Sequence, residues 1–159
     1  MSKPISNSAI GSSSLSEMPS ATASETVVDL VRTVTFSAAH RYASTSLSRE
    51  ENIKTYGSLY RDEGFGHNFL VEAHFTGSVD PLTGMIANLV DVDQWLRTVA
   101  AHFDHQFLNE RPEFSNEAPT LERIALSFFD GVNALVSAGV RLKKIRLHEG
   151  DHTWVDCSN

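Results

Sequence analysis

The sequence predicts an α+β domain, a four-stranded antiparallel sheet with two helices on one face. Three observations carry that prediction. Two early stretches alternate apolar and polar residues with the period of a β-strand. Two later ones bear apolar stripes at helical spacing, and the chain closes on two short runs that read as a hairpin. No internal repeat is visible.

The first strand lies in "TVVDLVRTVTFSAAH", where Val34, Phe36, Ala38 and His40 share the inward parity and His40 ends the run. Arg41 to Gly66 is polar and glycine-punctuated, a long loop with a helical turn at "SREENIK"; a connection that long inside a domain is usually functional. "HNFLVEAHFTG" is the second strand, with His67, Phe69, Val71, Ala73 and Phe75 on one face. "DPLTG" reads as a turn and "MIANL" as a short additional strand. "DVDQWLRTVAAHF" places Val92, Trp95, Leu96, Val99 and Phe103 on one helical stripe, with Asp91 as N-cap. In "PTLERIALSFFDGVNALVSAG", Thr120 caps a second helix. Its stripe is Leu121, Ile124, Ala125, Phe128, Val132 and Leu135, and Gly139 follows its end. "VRLKKIRLHEG" and "HTWVD" form the closing hairpin.

At 159 residues the chain is long enough for one domain with a real core. Thirteen basic against twenty acidic residues give a net charge of −7, which disfavours nucleic acid as a partner. No apolar run approaches the roughly 18 residues that span a bilayer, so no membrane segment is expected. The lone Cys157 excludes an intramolecular disulfide and fits a reducing, cytoplasmic setting. Residues 1–25 hold nine serines and no aromatic residue, a composition expected to stay disordered. They show no signal-peptide core, and Glu17 and Glu25 without any arginine argue against a mitochondrial presequence. The domain is expected to occupy residues 26–159.

His40 and His67 sit on the apolar parity of their strands, at ends that flank the same long loop. They read either as buried, backbone-bonded histidines or as two ligands of zinc, which favours imidazole nitrogen and needs a third ligand. A third ligand at strand spacing would fall at position 65, which is Phe65. In "FDHQFLN", Asp104 can orient His105 for proton transfer, or His105 can simply answer the helix dipole. Glu149 shares parity with Ile145 and Leu147 and needs a partner: a salt bridge, or a ligand edge that pairs with it bidentately. Glu122 reads as a helix-dipole residue or a ligand contact. The run Arg141, Lys143, Lys144 and Arg146 is a solvated face or an attractor of phosphate.

Taken together, "FSAAH", "ENIKTYG", "GFGHNF", "DPLTGMIANLVDV", "FDHQFLN", "PTLE" and "HEG" resemble the 6-pyruvoyl- and 6-carboxy-tetrahydropterin synthase family, from about Thr33 to Val155. The resemblance implies a T-fold whose subunits join into a β-barrel trimer and usually a hexamer, so a homo-oligomer is expected. It also implies active sites between subunits, a zinc ion, and lyase chemistry on 7,8-dihydroneopterin triphosphate. By the same resemblance His40 and His67 match two of three zinc ligands, and Asp104 and His105 match the proton-transfer pair. Glu149 matches the carboxylate that grips the pterin edge, while Thr120 and Glu122 fall in the motif that lines the pocket.

Two departures stand against those matches. Phe65 replaces the third zinc-ligand histidine, and Leu59 falls where the family carries a catalytic cysteine. Cys157 does not match that motif. The loop "YRDEG" offers Asp62 and Glu63. Some family members use a glutamate here and cleave the side chain to give 6-hydroxymethyl-dihydropterin, which makes Glu63 a candidate base beside its reading as a solvated loop residue. Three functions are thus open: a pterin-processing lyase, a non-catalytic pterin-binding paralogue, or an enzyme for a different heterocycle.

Overall fold

Strict alternation along two long strands lays down one apolar face, and the sheet is built on it. β1 (Val28–His40) and β2 (Phe65–Gly77) pair antiparallel over their full length, from Val28 opposite Gly77 to His40 opposite Phe65. β3 (Arg141–Glu149) joins β2 with Glu149 opposite Phe69, and β4 (Thr153–Ser158) completes a sheet of order β1-β2-β3-β4. The computed structural model describes residues 27–159, so the serine-rich segment predicted to be a tail lies outside the described residues.

α2 (Leu89–Phe103) packs against β1, and α3 (Leu121–Asn133) against β3 and β4, both on the same face. Between them and the sheet, Phe36 stacks on Phe69 at 4.9 Å and on Phe128 at 6.0 Å, with Phe103 tilted against Phe36 at 5.5 Å. Each such ring contributes about 1.5–3 kcal/mol by leaving water. The predicted turn in the long loop is a full helix, α1 (Arg49–Tyr56), whose start is fixed by a capping box between Ser48 and Glu51. Asn52 is buried beneath the loop. It accepts from the Ser44 amide and donates to the carbonyls of Ser44, Leu47 and Ser48, which folds residues 44–48 back onto α1.

Several elements differ from the sequence expectation. "MIANL" is not a strand. Asp80 gathers the amides of Leu82 and Thr83 and the Thr83 hydroxyl, its own amide bonds to the Met85 carbonyl, and Ile86 and Ala87 pack on the core from a loop. The N-cap of α2 is Asn88 rather than Asp91, because the Asn88 side chain accepts from Val90 N. β2 begins at Phe65, two residues before the predicted start. α3 ends at Asn133, so Leu135 leaves the stripe for an exposed position and Gly139 lies in the following turn. The basic run resolves largely into ion pairs on the sheet, Lys143 with Asp29 and both Lys144 and Arg146 with Asp156. No described helix is long and apolar enough to cross a membrane.

Candidate active site

Three neighbouring strands each deliver one polar side chain to the same end of the apolar face. His40 closes β1, His67 lies two residues into β2, and Glu149 closes β3. Parity alone points them inward, and the register brings them together. His40 is almost completely buried, at 1% exposure. Its Nδ1 donates to the Pro119 carbonyl at 2.7 Å, and its Nε2 lies 3.0 Å from Glu149 Oε1. A carbonyl oxygen only accepts, so the hydrogen sits on Nδ1. Nε2 then faces the carboxylate either as a second N–H or as a lone pair aimed at a cation between the two groups.

His67 Nε2 approaches the same Glu149 oxygen at 3.4 Å, and the two imidazole rings meet edge-on at 5.4 Å above Phe69. His67 remains partly open to solvent. The hydrogen bond from His40, with the charge of the two imidazoles, holds the Glu149 carboxyl below the usual carboxylate range although burial opposes it. Ligand atoms of His40, His67 and Glu149 all lie within 4.8 Å of one another. Among the described residues this is the group placed to hold a metal, and its chemistry fits one: two imidazoles, one ionised carboxylate, and a carbonyl behind the first imidazole.

Phe65 belongs to the same strand face but takes no part. Its ring lies 6.2 Å from the His67 ring, and the Arg61 guanidinium sits 4.9 Å from its centroid. The chain reaches it through Gly64, at φ +73°, where an added Cβ would come within 2.9 Å of both the His40 carbonyl oxygen and the Phe107 ring. Only glycine supplies that conformation and that clearance.

Asp104 and His105 stand at the other side of His67. Asp104 Oδ1 accepts the Ser37 amide at 2.8 Å, and the His105 amide returns to the Ser37 carbonyl, so the segment is stitched to the edge of β1. Asp104 Oδ2 lies 2.8 Å from His105 Nδ1. The Ser37 amide and then His105 keep the Asp104 carboxyl below its ordinary value. His105 itself has φ +57° and an 83% exposed side chain, so it stands open to solvent rather than packed. A cleft of about 450 Å³ joins the two halves, running from His67 and Asn68 past Ala39 to His105 and Phe107. A second, of about 560 Å³, opens from His67 towards His148 and Asp151.

Thr120 caps α3, accepting from Arg123 N. Glu122 is exposed on the first turn. Both belong to the helix start behind His40, where the Leu121 amide donates to the Tyr42 hydroxyl at 3.4 Å. Tyr42 was not singled out from the sequence, although it follows His40 at the strand spacing that would keep it on the same side. Its ring packs between those of His40 and Tyr56, and burial, with Glu149 and Glu122 nearby, pushes its phenol up, so it stays protonated. The Pro119 carbonyl was also missed, and no local signal marks it. Glu63 is exposed and lines neither cleft at His67, while its neighbour Asp62 is occupied by Arg49 in a bidentate pair. Leu59 is half exposed, and its carbonyl receives the Tyr42 amide. Cys157 lies on β4 opposite Ile145, where burial and then Asp130 push its thiol up.

The 6-pyruvoyl tetrahydropterin synthase family model matches residues 29–159. The chain belongs to the 6-pyruvoyl tetrahydropterin synthase family. Among curated members, the 6-pyruvoyl tetrahydrobiopterin synthase of Pongo abelii is 36% identical over 126 residues, covering 78% of this chain and 86% of that protein. The human protein of the same name is 35% identical over the same length. A solved 6-pyruvoyl tetrahydropterin synthase from Caenorhabditis elegans superposes with a TM-score of 0.79 at 28% identity, covering 84% of this chain and 96% of that one. The four-stranded sheet with its helical face is thus the T-fold of the family.

Proposed function

We propose that this family member is a pterin-processing lyase acting on 7,8-dihydroneopterin triphosphate or a closely related pterin. The observation that supports it best is the ionised Glu149 carboxylate, held beside two imidazoles of which one, His67, lines an open cleft. An amino-pyrimidinone edge offers a carboxylate two parallel donors, the pairing that such a group binds most strongly. In this reading Glu149 grips the heterocycle, and Thr120 and Glu122 flank it from the start of α3. His40 and His67 hold zinc, which when bound polarises substrate oxygens. Asp104 keeps His105 oriented at the cleft mouth, so that the imidazole exchanges a proton with the substrate side chain. Glu63 is the candidate base in place of the family thiol, and its exposure means it must swing in or be covered by a second subunit. The family resemblance also supports a homo-oligomer, trimer or hexamer, and exposed Val31, Leu70 and Trp154 on the helix-free face of the sheet give it apolar surface to cover.

A second reading, a pterin-binding paralogue without chemistry, is favoured by Leu59 and Phe65, two apolar side chains at reactive positions. Cleavage to 6-hydroxymethyl-dihydropterin is the variant outcome that Glu63 would support. The experiment is a product assay: purified protein, dihydroneopterin triphosphate and added zinc, with products identified by mass. Triphosphate elimination or side-chain cleavage gives a distinct new mass; a substrate recovered intact would remove the lyase reading. If product forms, Glu63→Ala is expected to lower its rate by about 100-fold, within the range typical of general base loss.

A further inference from the structure

The position that strand spacing assigns to a third ligand holds Phe65, yet the two imidazoles are not left with each other alone. Glu149 Oε1 lies 3.0 Å from His40 Nε2 and 3.4 Å from His67 Nε2. Donors arranged tetrahedrally at zinc bond lengths of about 2.0–2.1 Å sit roughly 3.3 Å apart, which both separations to the carboxylate match. All three donors lie within 4.8 Å of one another, close enough for side-chain rotation to bring the two imidazoles onto one ion. The Pro119 carbonyl holds the His40 hydrogen on Nδ1 and leaves Nε2 for coordination. Each donor comes from a different strand of one sheet, which fixes their spacing before any ion arrives.

Glu149 is therefore asked to do two things. It is the carboxylate that the proposed pterin reading assigns to the heterocycle edge, and that pairing uses both of its oxygens. Oε1 is the oxygen that faces the imidazoles. We infer that Glu149 is a shared group, closing the metal site that Phe65 leaves open and anchoring the heterocycle in the same pocket, so that metal and heterocycle bind antagonistically. The antagonism half rests on the pterin reading, whereas the metal half does not. Linkage makes the effect reciprocal: whatever factor the heterocycle costs the metal, the metal costs the heterocycle. A histidine at position 65 would relieve it, by supplying the third imidazole and releasing the carboxylate.

The test is a zinc titration against a chromophoric chelator for the full chain, Glu149→Gln, Phe65→His and the double variant, each first checked for native circular dichroism. Zinc alone is the first probe. Glu149→Gln is expected to weaken zinc more than about tenfold, and Phe65→His in the same chain to restore it. That rescue separates a lost ligand from a damaged fold. An unchanged zinc affinity in Glu149→Gln, or a wild-type chain that binds no zinc, overturns the metal assignment. Neopterin is the second probe. At saturation it is expected to weaken zinc in the wild-type chain and leave Phe65→His unaffected. Neopterin that binds without shifting zinc overturns the sharing. Neopterin that does not bind removes the pterin reading and the sharing together, while the zinc-only comparison still decides whether Glu149 is a ligand.

Discussion

At the scale of single residues, the site depends on contacts that tolerate almost no added volume. His40 is held from behind by Pro119 and in front by Glu149, and Gly64 passes so close to its carbonyl that a methyl group has no room. Gly64→Ala should lower stability by about 1–3 kcal/mol, since it adds both a strained positive φ and a clash. It should also loosen zinc, because relief of the clash displaces the His40 backbone. Urea midpoints and the chelator titration check both, and an alanine variant as stable as the parent would show that the loop adapts freely. The inward placement of His40, His67 and Glu149 was legible from parity, since a polar residue on an apolar face declares that it has a partner. That one carboxylate oxygen serves both imidazoles was not. It follows from the pairing of β2 with β3, which no local pattern encodes.

At the scale of elements, caps and hubs decide where structure starts and stops. Thr120 was read correctly as the cap of α3 because the residue before a strong apolar stripe is the natural place for it. Asp91 was not the cap of α2: Asn88 offers the same chemistry one turn earlier, and the helix begins wherever an acceptor first reaches a free amide. "MIANL" failed as a strand because its neighbours claim it: the Asp80 turn ties down its start, Ile86 and Ala87 pack on the core from the loop, and Asn88 already caps α2. The long loop owes its shape to Asn52. Asn52→Ala would take the side-chain partner from the Ser44 amide and the Leu47 carbonyl, while the Ser44 and Ser48 carbonyls keep backbone donors, at about 1–3 kcal/mol. Limited proteolysis between residues 41 and 64 should then quicken. A loop no more accessible than before would place its order elsewhere.

At the scale of the whole molecule, carboxylates set the response to acid. Asp156 is held at about 2, below its ordinary 3.8, chiefly by Arg146, and Glu72, Asp104 and Glu149 are lowered as well. A carboxylate with a depressed folded value contributes stability that is full above its ordinary value and lost as pH falls through the folded one. Stability should therefore decline between about pH 4 and 2. Asp156→Asn should blunt that decline while costing some stability at neutral pH, as urea midpoints at neutral pH and about pH 3 would show; an identical decline in the variant would assign it to the other carboxylates. The same molecule-wide view bears on how the site comes into being. Pro119 lies 79 residues downstream of His40, and Glu149 lies 109 downstream. On the ribosome, His40 is among the first parts of the domain to appear and must wait for the carboxylate that completes its surroundings until β3 has been translated and has docked. Until then a metal ion met by the nascent chain finds at most two of the site's three donors, and the affinity of the finished site is withheld from the unfinished one.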